Sequence, residues 1–550
     1  MAARSPGRVG DHQALWAAAG DYEAEGDASQ DVLPTAAPLL MMFGPPFARQ
    51  PEFWLLVAIS CIVGAAMSIV ALGFSVIIEG ASELLWFTEA YRHSLASKDG
   101  AKLGSGDLRW IGLGAAAGVA VTLVKLLYGL LVVRVPFELK GTLFAHIKDL
   151  DVHDWREAPC VFLVAAISLG CGCSLGPEAP LGICGAAMSY LVLRMHERFL
   201  CRDAGDDSST DAEDEGCEVV SNGSAAHKER QQMEKLCVRS GIAAAMGSVF
   251  PSSVVATIMV QEMELVVSDF RHAVAERALK VTVMEGFLHT AIASTVSWSL
   301  CSYLKEHTFL KPEELPDVAQ NYVRFNYRMV LVAVFIGVVG AFVGVMAFII
   351  NMIGKICFGK LRLKLNHIGT RCGMTSDMLL LGDALLPVIG GAMYGGLAVA
   401  CPLSVGDGNA QLPALLKFGN SYGVTTLLVT ALAKMLALAV CNATGFIGGP
   451  IFPLIFAGSC VGRAMVDVFP DAFDDINLTM LFIPCMSVAV GCAYTPLVLT
   501  MTFTVVVSYV VGAQWTTLVF VSGCTSFLVG CGLGAVQTIV VGRVETPKSQ

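Results

Sequence analysis

The sequence predicts an all-α polytopic membrane protein, built as an inverted-repeat bundle with broken half-helices, and three observations carry that expectation. The 550 residues are 55% hydrophobic and only 15% charged, with a positive mean hydropathy, far from an average soluble domain. Weakly charged windows long enough to cross a bilayer recur along the chain. Two of these windows are interrupted by glycines and prolines at matching distances into two halves of similar spelling.

The windows fall at 53–86, 110–133, 158–193, 241–263, 281–304, 329–358, 378–400, 425–440, 444–462, 478–511 and 515–541. A spanning helix takes about 20 apolar residues, so about ten or more membrane segments are expected. Eighteen cysteines are scattered through the spans rather than spaced as in a short secreted scaffold, and read as small packing residues. Cys171 and Cys173 lack a nearby histidine or second cysteine pair to complete four ligands, so no metal and no cofactor is expected.

The repeat is legible in three places. "LVAISCIVGAAMSIVALGF" from Leu56 returns as "LVAVFIGVVGAFVGVMAFI" from Leu331, an offset of 275 residues. "SLGPEAP" and "GFIGGPIFP" each follow at roughly 120 residues, giving one broken span per half. "GIAAAMGSVFPSSVVATIMV" resembles "MSVAVGCAYTPLVLTMTFTV", which matches Pro251 to Pro496. The membrane domain is thus read as 51–541, with repeat one at 51–270 and repeat two at 325–541. The polar insert at 202–235 accounts for the longer first half and reads as a mobile cytoplasmic loop.

Residues 1–50 form an acidic tail without an apolar signal core, expected to be disordered, and 542–550 a short C-terminal tail. The formal net charge of -10 arises largely from that tail and the insert, so it describes solvated segments and points to no nucleic-acid partner. Lys355, Lys360, Arg362, Lys364 and Arg371 follow the first long span of repeat two and place that end in the cytoplasm. The equivalent first-half span is followed by "LLWFTEAYR", which suits the opposite side and an inverted arrangement. The sequon at Asn222 would then be cytoplasmic and unglycosylated.

Between Glu157 and Arg194 the only charged side chain is Glu178. That interval is too long for one span and too short for two, so a pair of half-helices fits it best. Gly176 permits unusual backbone angles, and Pro177 suits a helix start, where its missing N–H is not needed. The following helix offers unpaired amides and the positive end of its dipole, an anion site at which Glu178 is a tethered anion. Such a carboxylate can exclude a mobile anion until it is protonated or swings away. The charge-free interval 435–462 presents a second half-helix, so that two N-termini converge on one site. A charge at the bilayer centre costs about 2.5–3.5 kcal/mol on insertion scales, which argues against a purely packing role. Glu262 stands at the end of the run "SSVVATIMV" and reads equally as a span's hydrophilic end or as a second protonatable group. An intramembrane enzyme would need a nucleophile or metal group near Glu178, and neither a Ser/His/Asp set nor HExxH is found.

These stretches resemble the CLC family of chloride channels and proton/chloride exchangers. "SLGPEAP" is similar to its G-(K/R)-E-G-P motif, "GGPIFP" to its G-x-F-x-P motif, and "GIAAAMGSVFPSSVVATIMVQEM" to the segment leading to its internal proton glutamate. The resemblance runs over about 50–541, and the spellings look closest to a divergent branch of ion-transport proteins. It implies Glu178 as gating glutamate and Glu262, preceded by Gln261, as proton glutamate. It implies backbone anion ligands at Gly176, Pro177, Glu178, Ala179, Pro180, Gly449, Ile451 and Phe452. It further implies a homodimer, with chloride or another small anion and protons as the species moved. Three positions depart from the family pattern: Val133 or Arg134 stands where its serine falls, Pro450 lacks an N–H, and Gln537 replaces a pore-lining tyrosine. The chain is further expected to lack the C-terminal regulatory nucleotide-binding modules that many eukaryotic members of that family add. The resemblance leads to a proton-coupled anion exchanger, with a passive voltage- or proton-gated chloride channel as the alternative.

Overall fold

A computed structural model describes residues 51–85, 102–133, 155–203, 224–267, 278–306, 327–371, 380–409, 411–469, 478–509, 511 and 513–544. The chain divides into Met1–Phe53 and Trp54–Gln550, and the bundle lies in the second unit. The acidic tail 1–50, Arg134, Asn222 and the tail from 545 on lie outside the described residues, as do the side chains of Val133 and Gln537.

The first half runs α1 (Pro51–Leu85), α2 (Arg109–Tyr128), a π-helical turn (Gly129–Val133), α3 (Ala158–Gly170), α4 (Glu178–Asp203), α5 (Ser224–Val249), α6 (Ser253–Val267) and α7 (Ala278–Glu306). The second half runs α8 (Tyr327–Arg371), α9 (Leu381–Ala400), the short α10 (Leu412–Phe418), α11 (Val424–Thr444), α12 (Ile451–Val468), α13 (Leu478–Tyr494), α14 (Val498–Ser508) and α15 (Ala513–Val544). One order of elements therefore occurs twice: a long helix, a glycine-rich helix, a helix broken into a half-helix, a helix broken at proline, and a closing helix. Among the described residues extended pairing is confined to one isolated bridge.

Seven of the described helices are long and apolar enough to cross a membrane. Three of the windows without a spanning counterpart, 158–193, 241–263 and 478–511, run across backbone breaks over which hydropathy averages. The window 241–263 holds the end of α5 and most of α6, separated at Phe250 and Pro251, and the window 478–511 holds α13 and α14, separated around Pro496. The expectation of one broken span per half is corrected accordingly, to two breaks per half. The insert is corrected as well: Arg202 and Asp203 close α4, and residues 224–235 are helical turns of α5 rather than loop.

Small residues let the two halves approach closely. On α2 and α9, a Cβ added at Gly114 would lie 2.0 Å from the carbonyl oxygen of Gly391, and one at Gly118 would lie 2.1 Å from that of Pro387. Backbone approach of this kind is how helices associate in lipid, where apolar burial gives no preference for protein over tails. Thr122 Oγ1 donates to the Ala384 carbonyl across the same seam at 2.9 Å.

Helix α8, at 45 residues, would rise about 67 Å, more than twice a hydrocarbon core of about 30 Å. Its basic end is tied to the start of α9 by Arg362 to Asp383, 2.5 Å, and by the Gly382 N–H donating to Asn366 Oδ1, 2.7 Å. The described cysteines are free, and most are buried.

Candidate functional site: two broken helices and one carboxylate

Helix α3 ends where Gly172 takes a left-handed φ of 73°, with its N–H donating to Leu169 O at 2.8 Å. Helix α11 ends likewise at Gly445, φ 97°. Glycine tolerates these angles without a Cβ penalty, so each helix stops and turns its chain toward the centre of the bundle. The two short stretches that follow meet each other. Gly176 N–H donates to Gly449 O and Gly449 N–H donates to Gly176 O, both at 2.7 Å. This reciprocal pair joins the halves immediately before α4 and α12 begin.

Glu178 opens α4, is 2% exposed, and lies across the bridge. Its Oε1 accepts the N–H of Ile451, the first residue of α12, at 2.7 Å across 273 residues of sequence. A Cβ at Gly176 would come within 2.0 Å of Oε2, and one at Gly449 within 2.1 Å of Oε1. Glycine is therefore required at both positions for the carboxylate to lie flat against the backbone. Oε2 is buried and accepts no hydrogen bond. The carboxylate of the first half thus occupies the positive end of the second half's half-helix, where the amides of the first turn have no intrahelical partner. Phe452 adds an aromatic wall, stacked on Phe250 at the break between α5 and α6 with ring centroids 5.7 Å apart.

The backbone ligands implied by resemblance need correcting. The amides of Gly176 and Gly449 are engaged with each other, and Pro177 and Pro180, like Pro450, have no N–H to give. Of the implied set, Glu178, Ala179, Ile451 and Phe452 keep an N–H at a helix start. Val133 ends the π-helical turn after α2, and Gln537 lies on α15.

Glu262 sits on α6 and does something the sequence did not reveal. Helix α14 begins without a capping side chain of its own, since its N-cap residue is Leu497. Glu262 supplies the cap from the other half: Oε1 accepts Leu499 N–H at 2.7 Å, and Oε2 accepts Thr500 N–H at 2.8 Å and Thr500 Oγ1–H at 2.6 Å. An N-cap contributes about 0.5–2 kcal/mol. Glu262→Ala is accordingly expected to destabilise the protein by about 1–2 kcal/mol, read as a lower midpoint of thermal unfolding in detergent. An unchanged midpoint would argue against the cap.

Two lysines went unremarked in the sequence. Lys434, the single charge of α11, is fully buried, and its ammonium donates to the carbonyls of Ser404, Val405 and Gly406 at 3.2, 3.3 and 2.6 Å. It also lies 5.1 Å over the Phe456 ring of α12, a cation–π distance. Lys125, on α2, donates to Gly445 O at 2.7 Å and so braces the second broken stretch from the first half. Each was detectable as a lone cation inside an apolar helix, a placement that marks function or a specific partner.

Among the described residues no cluster of His, Cys, Asp or Glu could hold a metal ion. A model of the voltage-gated chloride channel family matches residues 126–530, spanning both broken stretches, the bridge and Glu262. The chain belongs to that family. As a voltage-gated chloride channel family member it is a multi-pass integral membrane protein of a channel and transporter class rather than an enzyme. Solved structures share the fold at low sequence identity. A slow cyanobacterial Cl-/H+ antiporter superposes with a TM-score of 0.61 at 15% identity, covering 91% of this chain and 100% of its own. A eukaryotic CLC transporter gives 0.55 at 13% identity, covering 88% and 73%, and a CLC-type fluoride/proton antiporter 0.52 at 16% identity, covering 86% and 95%. Among curated proteins, YfeO of Escherichia coli O139:H28 and of Shigella flexneri is 29% identical over 132 residues. That match spans 24% of this chain and 28% of the length of those relatives.

Proposed function

We propose that this chain carries small monovalent anions, chloride among them, across a bilayer in exchange for protons, with Glu178 as the gate. The observation that carries the proposal is the hydrogen bond from Ile451 N–H to Glu178 Oε1. A half-helix N-terminus in a water-poor core is an anion site, and a carboxylate already seated on it stands in for the anion it excludes. Protonation removes the charge that holds Glu178 there. The amides of Ile451 and Phe452 then accept a mobile anion in its place, and loss of the proton returns the carboxylate and expels the anion. One side chain thereby alternates between proton and anion, the minimum requirement for exchanging them. Family membership and the antiporters that share the fold support this reading, as does the lone acid in a 36-residue uncharged interval. In the same reading the protein works as a homodimer.

The passive chloride channel is the second reading, favoured by Glu262. Both oxygens of that carboxylate are engaged in capping α14, which opposes a role as inner proton relay unless the cap opens. The deciding measurement is flux of the purified protein in proteoliposomes under a chloride gradient with internal pH recorded. Uphill proton movement is expected. Anion flux with protons following only their own gradient would replace the exchanger with the channel.

A further inference from the structure

The loop between α9 and α10 supplies an acid that the mechanism above does not use. Asp407 lies between Gly406, φ 72°, and Gly408, φ 108°, and is half-buried. Four contacts pin the segment around it. Gly406 N–H donates to Gly172 O at 2.7 Å, fixing the loop to the break that leads into Glu178. Lys434 Nζ donates to Gly406 O at 2.6 Å, and Gln411 Nε2 to Val405 O at 2.8 Å. Gly408 rests on Phe456, where an added Cβ would meet the side chain at 2.4 Å. The Asp407 carboxylate accepts Asn409 N–H at 2.9 Å and Asn409 Nδ2–H at 2.8 Å.

We propose that Asp407 is the acid that hands protons to Glu178 Oε2 from the side of the bundle on which the 402–411 loop lies. Three features converge on this role. Glu178 Oε2 is a buried acceptor without a hydrogen bond, the atom on which an arriving proton would sit while Oε1 stays on Ile451 N–H. Asp407 follows Gly406, whose N–H is bonded to Gly172 O at the break leading into Glu178 and whose carbonyl accepts from the Lys434 ammonium of α11. Asp407 is also reached by solvent, whereas Glu178 is not. The step is a proton transfer through intervening water: the carboxylic acid of Asp407 loses its proton, Glu178 Oε2 gains it, and Asp407 takes another from solvent. Between transfers, as a carboxylate, Asp407 also disfavours anions along the proton's route, so the two ions approach Glu178 by different paths.

The proposal rests on the exchange reading, and one experiment separates their failures. Wild-type protein, Asp407→Asn and Asp407→Glu are reconstituted with chloride, and proton and anion fluxes are recorded together across a pH series. Asn preserves the acceptor for Asn409 N–H and removes the titrating group. A positioned acid typically contributes 100-fold or more to proton transfer, so with water as partial bypass the proton-to-anion ratio of Asp407→Asn should fall by about tenfold. Its activation on acidification should shift to lower external pH on the loop side, and Asp407→Glu should restore both. A coupled wild type whose ratio and pH profile survive Asp407→Asn would overturn the relay and leave exchange intact. An uncoupled wild type would overturn both. If Asp407→Asn does not fold, Asp407→Ser takes its place as the variant without a titrating group, and a proton-to-anion ratio and pH profile left unchanged by Asp407→Ser would overturn the relay.

Discussion

Glu178→Ala is expected to raise anion flux and to remove its dependence on pH. In wild-type protein, flux should increase as the pH falls, because protonation neutralises the charge that holds Oε1 on Ile451 N–H. Hydrogen bonds to charged groups contribute about 1.5–3 kcal/mol, so losing this one should raise the fraction of unblocked sites by about ten- to a hundredfold. Glu178→Gln, which carries the shape of the neutral acid, should behave similarly and be equally insensitive to pH. The measurement is initial chloride efflux from proteoliposomes at neutral and mildly acidic pH. An Ala variant that keeps the wild-type pH response would remove Glu178 from the gate.

Gly449→Ala carries the second largest expected effect, and it reaches the gate without touching its charge. The added methyl would fall 2.1 Å from Glu178 Oε1, 2.2 Å from Cδ and 2.5 Å from Cγ. Those distances are far inside van der Waals contact, so either the carboxylate leaves its seat or the Gly176 bridge opens. Displacement of the carboxylate predicts pH-insensitive flux resembling Glu178→Ala. Opening of the bridge predicts a protein that is not recovered in folded form. Overpacking typically costs about 1–3 kcal/mol, and combining Gly449→Ala with Glu178→Ala should recover much of it because the clashing side chain is gone. A Gly449→Ala variant with wild-type gating would mean that the carboxylate does not rest on that glycine.

The features legible from sequence were those that a local pattern imposes. Gly176, Pro177 and the lone Glu178 in an uncharged interval announce a break, and the matching spelling around Gly449 announces its counterpart. What escaped depends on contacts between distant backbone atoms. The partners of Glu262 are the amides of Leu499 and Thr500, more than 230 residues away, and no property of those two side chains advertises a helix start in need of a cap. The same holds for Lys434, whose partners are three carbonyls of a loop. The breaks at Pro251 and Pro496 were visible as a matched pair, yet averaged hydropathy merged the helices on either side of each. Asp407 repeats the grammar of Glu178 on a small scale, an acid framed by glycines in "VGDGN", and was legible in principle.

The reciprocal bond between Gly176 and Gly449 also has a consequence for how the chain is made. Everything that completes the environment of Glu178, from the partner glycine to the Ile451 amide, is encoded some 270 residues later. At about 5–20 residues per second of synthesis, that segment emerges roughly 15–55 s after Glu178 itself. For that interval a half-built protein holds an acid and an open backbone stretch with nothing to bond to. The first half must therefore wait as a neutral acid, or shielded at the insertion machinery, until the second half arrives. Its release into lipid is accordingly expected to come late in biogenesis, timed by the second half.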